Sequence, residues 1–447
     1  MKRPAHWIVV LSFITVTCTF GLAPSTFADG TVYAMTNQLT RSGGNNILVY
    51  HRASNGKLSL IQTIATTGGG SGIQLDPTDS LASQGGLILD EDHERLFAVN
   101  TETVAADLGS EPGFPGMEVG DCSMGTISSF KVAPDGTLTF VPKVMSGGLF
   151  PDSLTIHGHL LYVLNAGGPG ANPVCGIPPN ITGFTLKGAK MTLLSGSTRP
   201  ISPGMPPFGF LNCDNSTGPF ATAEFQCGNN PPAFPRAPAQ IMFTANGKQL
   251  VVTVKGPNKI YVFPVLEDGT PAAPTVHTAT GPGQPAYFGF AFDEEGHLIV
   301  SEPFGATSVI PAVPFSAVSS FSIGEDGSLT AISSSVPNSE GTSCWVVLAG
   351  RHAYVGNNAT SNISSYTIGS NGSLTLLAHS AAMVSHPNDL AVAVEGEEDA
   401  GASFLYALGA GDGTVGVWRI MANGSLTFVQ SAPGLPVNMG AQGLAAY

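Results

Sequence analysis

Positive charge is scarce in this chain: 17 Lys and Arg stand against 31 Asp and Glu in 447 residues, a net charge of −14. Nucleic acids and anionic membrane surfaces are gripped by basic patches, so neither is an expected partner. Charged residues of both signs make up only 11% of the chain, which leaves surface polarity to Ser, Thr, Asn and Gln. Long amphipathic helical patterns are missing, and with them the Gly-rich loops that cradle phosphate before a helix. No Gly-x-Ser-x-Gly elbow and no His-Glu-x-x-His pair is present, so two common hydrolase signatures are excluded. The cysteines contain no closely spaced pairs, which argues against a four-cysteine zinc site.

What is there begins with the N-terminus. Lys2 and Arg3 precede an apolar run from Trp7 to Ala23, and Pro24-Ser-Thr-Phe-Ala28 follows. A basic region, a hydrophobic region and small residues at a cleavage point make residues 1–28 a signal peptide, with 29–447 as the mature domain. An uncleaved membrane anchor is the alternative. No other stretch is long and apolar enough to span a bilayer. The expected address is periplasmic or secreted, where disulfides are permitted. Cys213 and Cys227 share one long insertion and are the easiest pair. Cys122 and Cys175 occupy equivalent loops of neighbouring repeats and are a second possible pair. Cys344, in the strand-like run Cys344-Trp-Val-Val-Leu348, is expected to be a buried thiol.

The mature chain repeats itself. Asn55-Gly56, Asp135-Gly136, Asp326-Gly327, Asn371-Gly372 and Asn423-Gly424 are five clear copies of one turn; Asp268-Gly269, followed by Thr-Pro, is a degraded sixth, and Lys187-Gly188 is a degraded seventh. Such dipeptides are the strongest short hairpin signal, because Gly takes the positive φ that the tight turn requires. Strand-like runs flank each turn, such as Ile363 to Ile368 before Gly372. Farther upstream lies an aromatic or aliphatic run ending in a polar residue, as in Leu161-Tyr-Val-Leu-Asn165 and Ala353-Tyr-Val-Gly-Asn357. A fourth apolar run precedes that one. Four short strands repeated seven times predict an all-β, seven-bladed β-propeller forming a single domain. A row of separate β-sandwiches is the competing architecture. Ala441 to Tyr447 reads as a first strand with nothing after it, and Thr31 to Asn37 as a second strand with nothing before it. Joining them completes one blade and removes the exposed edges.

Loop lengths point to one face. Connections from second to third strands, and from blade to blade, share a face, and they carry the large insertions: Thr101 to Met124, Ala166 to Pro179, Ser195 to Pro238 and Pro303 to Ser316. Loops on a rigid scaffold carry function. Second strands end there in Asn37, Asn100, Asn165, Lys255, Glu302 and Asn357, where Lys255 and Glu302 break the Asn pattern. Entering the first strands are Gln84, Asp152, Gln240, His386 with Asn388, and Gln442, with Arg236 and Glu340 ahead of two of them. A His, an Arg and carboxylates on one face can move protons and polarise a carbonyl. Turn capping and surface solvation are the bland readings of the same residues.

The quoted phrases, together with Gln240-Ile-Met-Phe-Thr-Ala-Asn-Gly-Lys-Gln-Leu250 and the Asp/Asn-Gly-x-Leu turns, resemble the lactonase-type seven-bladed propellers, which include phosphogluconolactonases and carboxymuconate cyclases. The resemblance spans the mature chain. It implies opening or closing of a lactone ring without metal or other cofactor, by polar residues in the central cleft. By residue type and face, Glu302, His386 and Arg236 are the implied catalytic set. Asn100, Asp152, Asn165, Gln240, Lys255, Asn357 and Asn388 are the implied substrate contacts. A phosphorylated lactone fits poorly with so few basic residues. The expected partner is therefore an uncharged or weakly charged lactone, acted on by a monomer. A non-catalytic propeller presenting its loops to a protein or glycan is the alternative.

Overall fold

The computed structural model describes residues 29–72, 79–101, 125–167, 178–202, 237–279, 285–306, 315–394 and 403–447. These form seven antiparallel sheets, the seven blades of a β-propeller, with one 3-10 turn at Thr40–Ser42 and no α-helix among the described residues. Blades 2 to 7 each run in chain order from an innermost to an outermost strand. Their innermost strands are Leu87–Leu89, Pro151–His157, Pro238–Phe243, Phe290–Phe292, Ser343–Ala349 and Pro387–Val394. Blade 1 is the composite: Leu444–Ala446 pairs with Gly30–Met35, and Asn46–Arg52 and Leu58–Ala65 follow outward. The ring is closed by both ends of the chain, as the repeat pattern predicts.

Burial follows position in the blade. The second strand Gly30–Met35 is buried along its whole length, because both of its faces pack on neighbouring blades. The outer strand Leu58–Ala65 is largely exposed and carries polar residues between its apolar ones. The degraded seventh turn is still a hairpin, with Lys187 opposite Lys190. Blade 3 pays for it with a broken outer edge, since Lys190–Leu193 and Arg199–Pro200 both pair with Asn180–Lys187.

The repeated Tyr and the repeated Gly belong to one contact. Tyr33 donates its hydroxyl to the Gly136 carbonyl at 2.9 Å, Tyr162 to Gly269 at 2.6 Å and Tyr354 to Gly424 at 2.9 Å. In each case a second strand holds the hairpin turn of the next blade. Gly424 has φ +77°, and a Cβ there would run into the His352 ring, so the position needs Gly for two reasons.

The described strand ends bear out the uneven loops with one exception. Residues 101–125, 166–179, 201–237 and 307–314 join strands at the predicted face. The connection from Val394 to Ser403, between first and second strands of blade 7, is also long and belongs to the opposite face.

Candidate functional site

Four of the second-strand Asn residues form a lock between blades. Asn100 Nδ2 donates to Thr126 and Ser128 of the third strand in its own blade. Its Oδ1 accepts from Asn45 and Thr66 of blade 1. Asn357 repeats the arrangement, donating to Asn362 and Ser364 and accepting from Asn338 and Ser343. Asn165 donates to Asn180 and to the Ser146 carbonyl of blade 2. Asn37 donates to Ser71, Ser80 and the Gly440 carbonyl. An amide suits this place because it donates and accepts at once. The Asn residues therefore tie strands and blades together, a role that their spacing alone does not reveal.

Glu302 takes the lock position of blade 5. Ser319 and Ser335 donate their hydroxyls to its two carboxylate oxygens. Its side chain is 1% exposed. Burial raises its pKa above the ordinary carboxylate value, and the two hydroxyls pull the other way. Lys255, at the same position in blade 4, instead turns inward. Its ammonium donates to the Ala82 carbonyl at 2.7 Å and the Pro238 carbonyl at 2.9 Å, and lies 5.3 Å from the centre of the Phe288 ring. Burial lowers its pKa to about 8, and the charge of Asp152 opposes the shift.

β-Bulges break the start of several innermost strands. Pairing slips by one residue at the start of the innermost strand in blades 3, 4, 6 and 7. A bulge re-aims side chains, and the extra residues here are Asp152, Ala239, Cys344 and the Asn388-Asp389 pair. Phe150, Thr342 and His386, immediately ahead of three of these strands, all have φ near +50°, so the conformation belongs to the repeat. Alternation of polar and apolar residues carries no trace of a bulge, and Asp389 was missed from sequence for that reason. Its oxygens accept from the Leu390 and Leu444 amides. Burial pushes its pKa up to about 8. Cys344 is a free, buried thiol, and burial drives its pKa well up.

Several buried atoms at the strand ends on the insertion-bearing face have no hydrogen-bond partner: both carboxylate oxygens of Asp152, Asn388 Oδ1, His386 Nδ1, Asn165 Oδ1 and Thr101 Oγ1. Asp152 is fully buried, and desolvation drives its pKa well above the carboxylate range against the pull of Lys255. Four residues named from sequence thus retain unused polar atoms: Asp152, Asn165, His386 and Asn388. Asn100, Asn357 and Glu302 are bonded in locks. Gln240 is bonded on both ends of its amide to the Phe290 backbone. Arg236, Cys122, Cys175, Cys213 and Cys227 lie outside the described residues, as does the segment 1–28.

Solved structures share this fold. A candidate 6-phosphogluconolactonase from Bacteroides fragilis aligns with a TM-score of 0.63 at 14% identity, covering 95% of this chain and 99% of that one. A periplasmic gluconolactonase from Pseudomonas aeruginosa aligns at 0.60 and 14% identity, covering 94% and 99%. A hypothetical selenium-binding protein from Sulfolobus tokodaii aligns at 0.53 and 9% identity, covering 95% and 94%. Neither a protein-family model nor a curated protein sequence matches the chain. At such identities the likeness establishes the propeller fold alone.

Proposed function

We propose that this propeller opens, or in reverse closes, the ring of an uncharged or weakly charged lactone at the insertion-bearing end of its channel. The observation that carries the reading is that Asp152 and Asn165 of blade 3 and His386 and Asn388 of blade 7 keep unpartnered polar atoms where their strands meet the insertion-bearing face. Leaving a buried polar group unpaired costs about 1–3 kcal/mol. A site that recognises a polar ligand recovers that cost when the ligand supplies the missing bonds. The fold shared with a periplasmic gluconolactonase supports the reaction class.

Ring opening needs a base for water, a donor for the carbonyl oxygen and a proton for the leaving oxygen. We assign the proton transfers to His386, whose Nδ1 is unused while its backbone amide donates to Ser361 Oγ at 3.3 Å. Water oxygen bonds to the carbonyl carbon, and its proton passes to the imidazole. The ring C–O bond then breaks, and the same proton moves to the departing oxygen, so one water is consumed and one hydroxy acid released. Arg236 precedes the innermost strand of blade 4 by two positions, and we assign it to the carbonyl oxygen. Asn165, Asn388 and Asp152 supply polar contacts. Lys255 already donates to two carbonyls, which argues against a phosphorylated ligand.

The proposal includes export by the segment 1–28 to the periplasm or the exterior, and action as a monomer. Its test is a screen of the purified 29–447 protein against neutral and phosphorylated lactones, with and without chelator. Chelator-insensitive turnover of a neutral lactone supports the reading. No turnover of any lactone refutes it in favour of a propeller that presents its loops to a protein or glycan.

A further inference from the structure

One stretch of chain bonds to four blades other than its own. Ser80 to Gly86 leads into the innermost strand of blade 2, and Ser80, Leu81, Ala82 and Ser83 are all buried. Its bonds do not stay within blade 2. Gln84 reaches blade 6, where its amide pairs at both ends with the Val346 backbone, at 2.8 and 3.0 Å. The Gln84 backbone amide donates to the Ala239 carbonyl of blade 4 at 3.0 Å. Ser83 Oγ donates to the Asp152 carbonyl of blade 3 at 2.7 Å. The Ser83 carbonyl accepts from the Trp345 indole of blade 6 and from Gln442, which leads into the inner strand of blade 1. Gln442 completes that link by accepting from the Leu81 amide at 2.8 Å.

This segment also explains why Lys255 departs from the Asn pattern. An Asn at the second-strand end satisfies its own blade and the one before it. Lys255 carries its charge past that lock to the Ala82 carbonyl, and so ties blade 4 to this segment. Two irregularities of the repeat, a long entry in blade 2 and a lysine in blade 4, thus account for each other. The groups whose charge reaches Lys255 are Asp152 from blade 3, Asp79 just ahead of the segment, and Cys344 from blade 6.

We propose that Ser80–Gly86 is a built-in plug of the central channel, with Lys255 as its positioning residue. The plug is the floor of any ligand site on the insertion-bearing face. A ligand engages the ring from above it, and an extended chain does not thread through. The proposal does not depend on the lactone reading, because its test uses no ligand.

The test is hydrogen exchange of peptides covering 80–86 in the full mature chain, together with maleimide labelling of Cys344 followed by peptide mass spectrometry. In the wild type, amides of the plug should exchange at least ~10³-fold more slowly than in an unstructured peptide, and Cys344 should resist labelling. Lys255→Met removes the charged donor at similar length. It should speed exchange of the plug by at least ~10-fold, with exchange in His352–Asn357 of blade 6 unchanged. Gln84→Ala, which cuts only the bridge to Val346, should act in the same direction and serves if the Lys255 variant does not fold. Wild-type plug amides that exchange like an open loop would overturn the proposal. So would unchanged plug protection in a folded variant.

Discussion

The hydroxyl of Tyr354 donates to the carbonyl of Gly424 at 2.9 Å across a sequence separation of 70 residues. It joins the second strand of blade 6 to the hairpin turn of blade 7, and Tyr33 and Tyr162 make the same bond elsewhere. The two most visible features of the repeat are therefore the two halves of one interface. Tyr354→Phe removes the donor and keeps the ring, so it should lower stability by about 1 kcal/mol. Gly424→Ala should cost more, since it adds positive-φ strain and a clash with His352. Thermal unfolding of both variants checks the ordering; a Phe variant worse than the Ala variant would contradict it.

Ring closure depends on three residues of strand. Leu444–Ala446 pairs with Gly30–Met35, Asp389 accepts the Leu444 amide, and Gln442 holds the plug. Deleting 441–447 uncovers an inner edge and removes all three ties. The truncated chain should be insoluble or unfold at much lower temperature. Unfolding at the wild-type temperature would defeat the closure account.

Blade count, strand order and composite closure were legible because each rests on local chemistry. Asn-Gly and Asp-Gly mark turns, and apolar runs mark strands buried on both faces. The site was legible only in part. The insertions pointed to one face, yet the residues at the strand entries are set by bulges, which leave no periodic mark. Asp152 and Asn388 were named because they enter first strands, whereas Asp389 was not. The Asn pattern was visible in the sequence but its bonds were not, because part of each set of partners lies in a neighbouring blade. The plug was invisible, since Ser80 to Gly86 reads as an ordinary small-residue loop.

Buried carboxyls give the fold a definite response to pH. Burial raises the pKa of Asp152, Asp389 and Glu302 in the folded chain, that of Asp389 to about 8. Their unfolded values lie near the ordinary ~4. The folded state thus keeps protons that the unfolded chain has released, so this stability is full below about pH 4 and is lost as pH rises through each folded pKa. Lys255 is protonated in both states below about 8 and adds no slope there. Tm should fall between about pH 5 and 8, and Asp389→Asn should flatten the fall. A Tm that rises over that range would contradict the assignment.

Export and cross-linking are tested together. Cys213 and Cys227 enclose thirteen residues, and a bridge there would stabilise the chain by about 3 kcal/mol in the chain-entropy view. Protein recovered from the exterior or periplasm should begin at Asp29. Non-reducing peptide mapping should find the two cysteines linked. Both as free thiols in exported protein would refute the pairing.

The most direct measurement of the functional account is the hydrolysis rate of a neutral lactone by wild-type protein and by His386→Gln, compared at equal foldedness by circular dichroism and Tm. Gln keeps hydrogen-bonding capacity and removes the proton-transfer group. The account predicts chelator-insensitive turnover by the wild type and a loss of roughly 10²-fold or more in the variant. Equal rates in the two proteins, or no turnover by either, would contradict it.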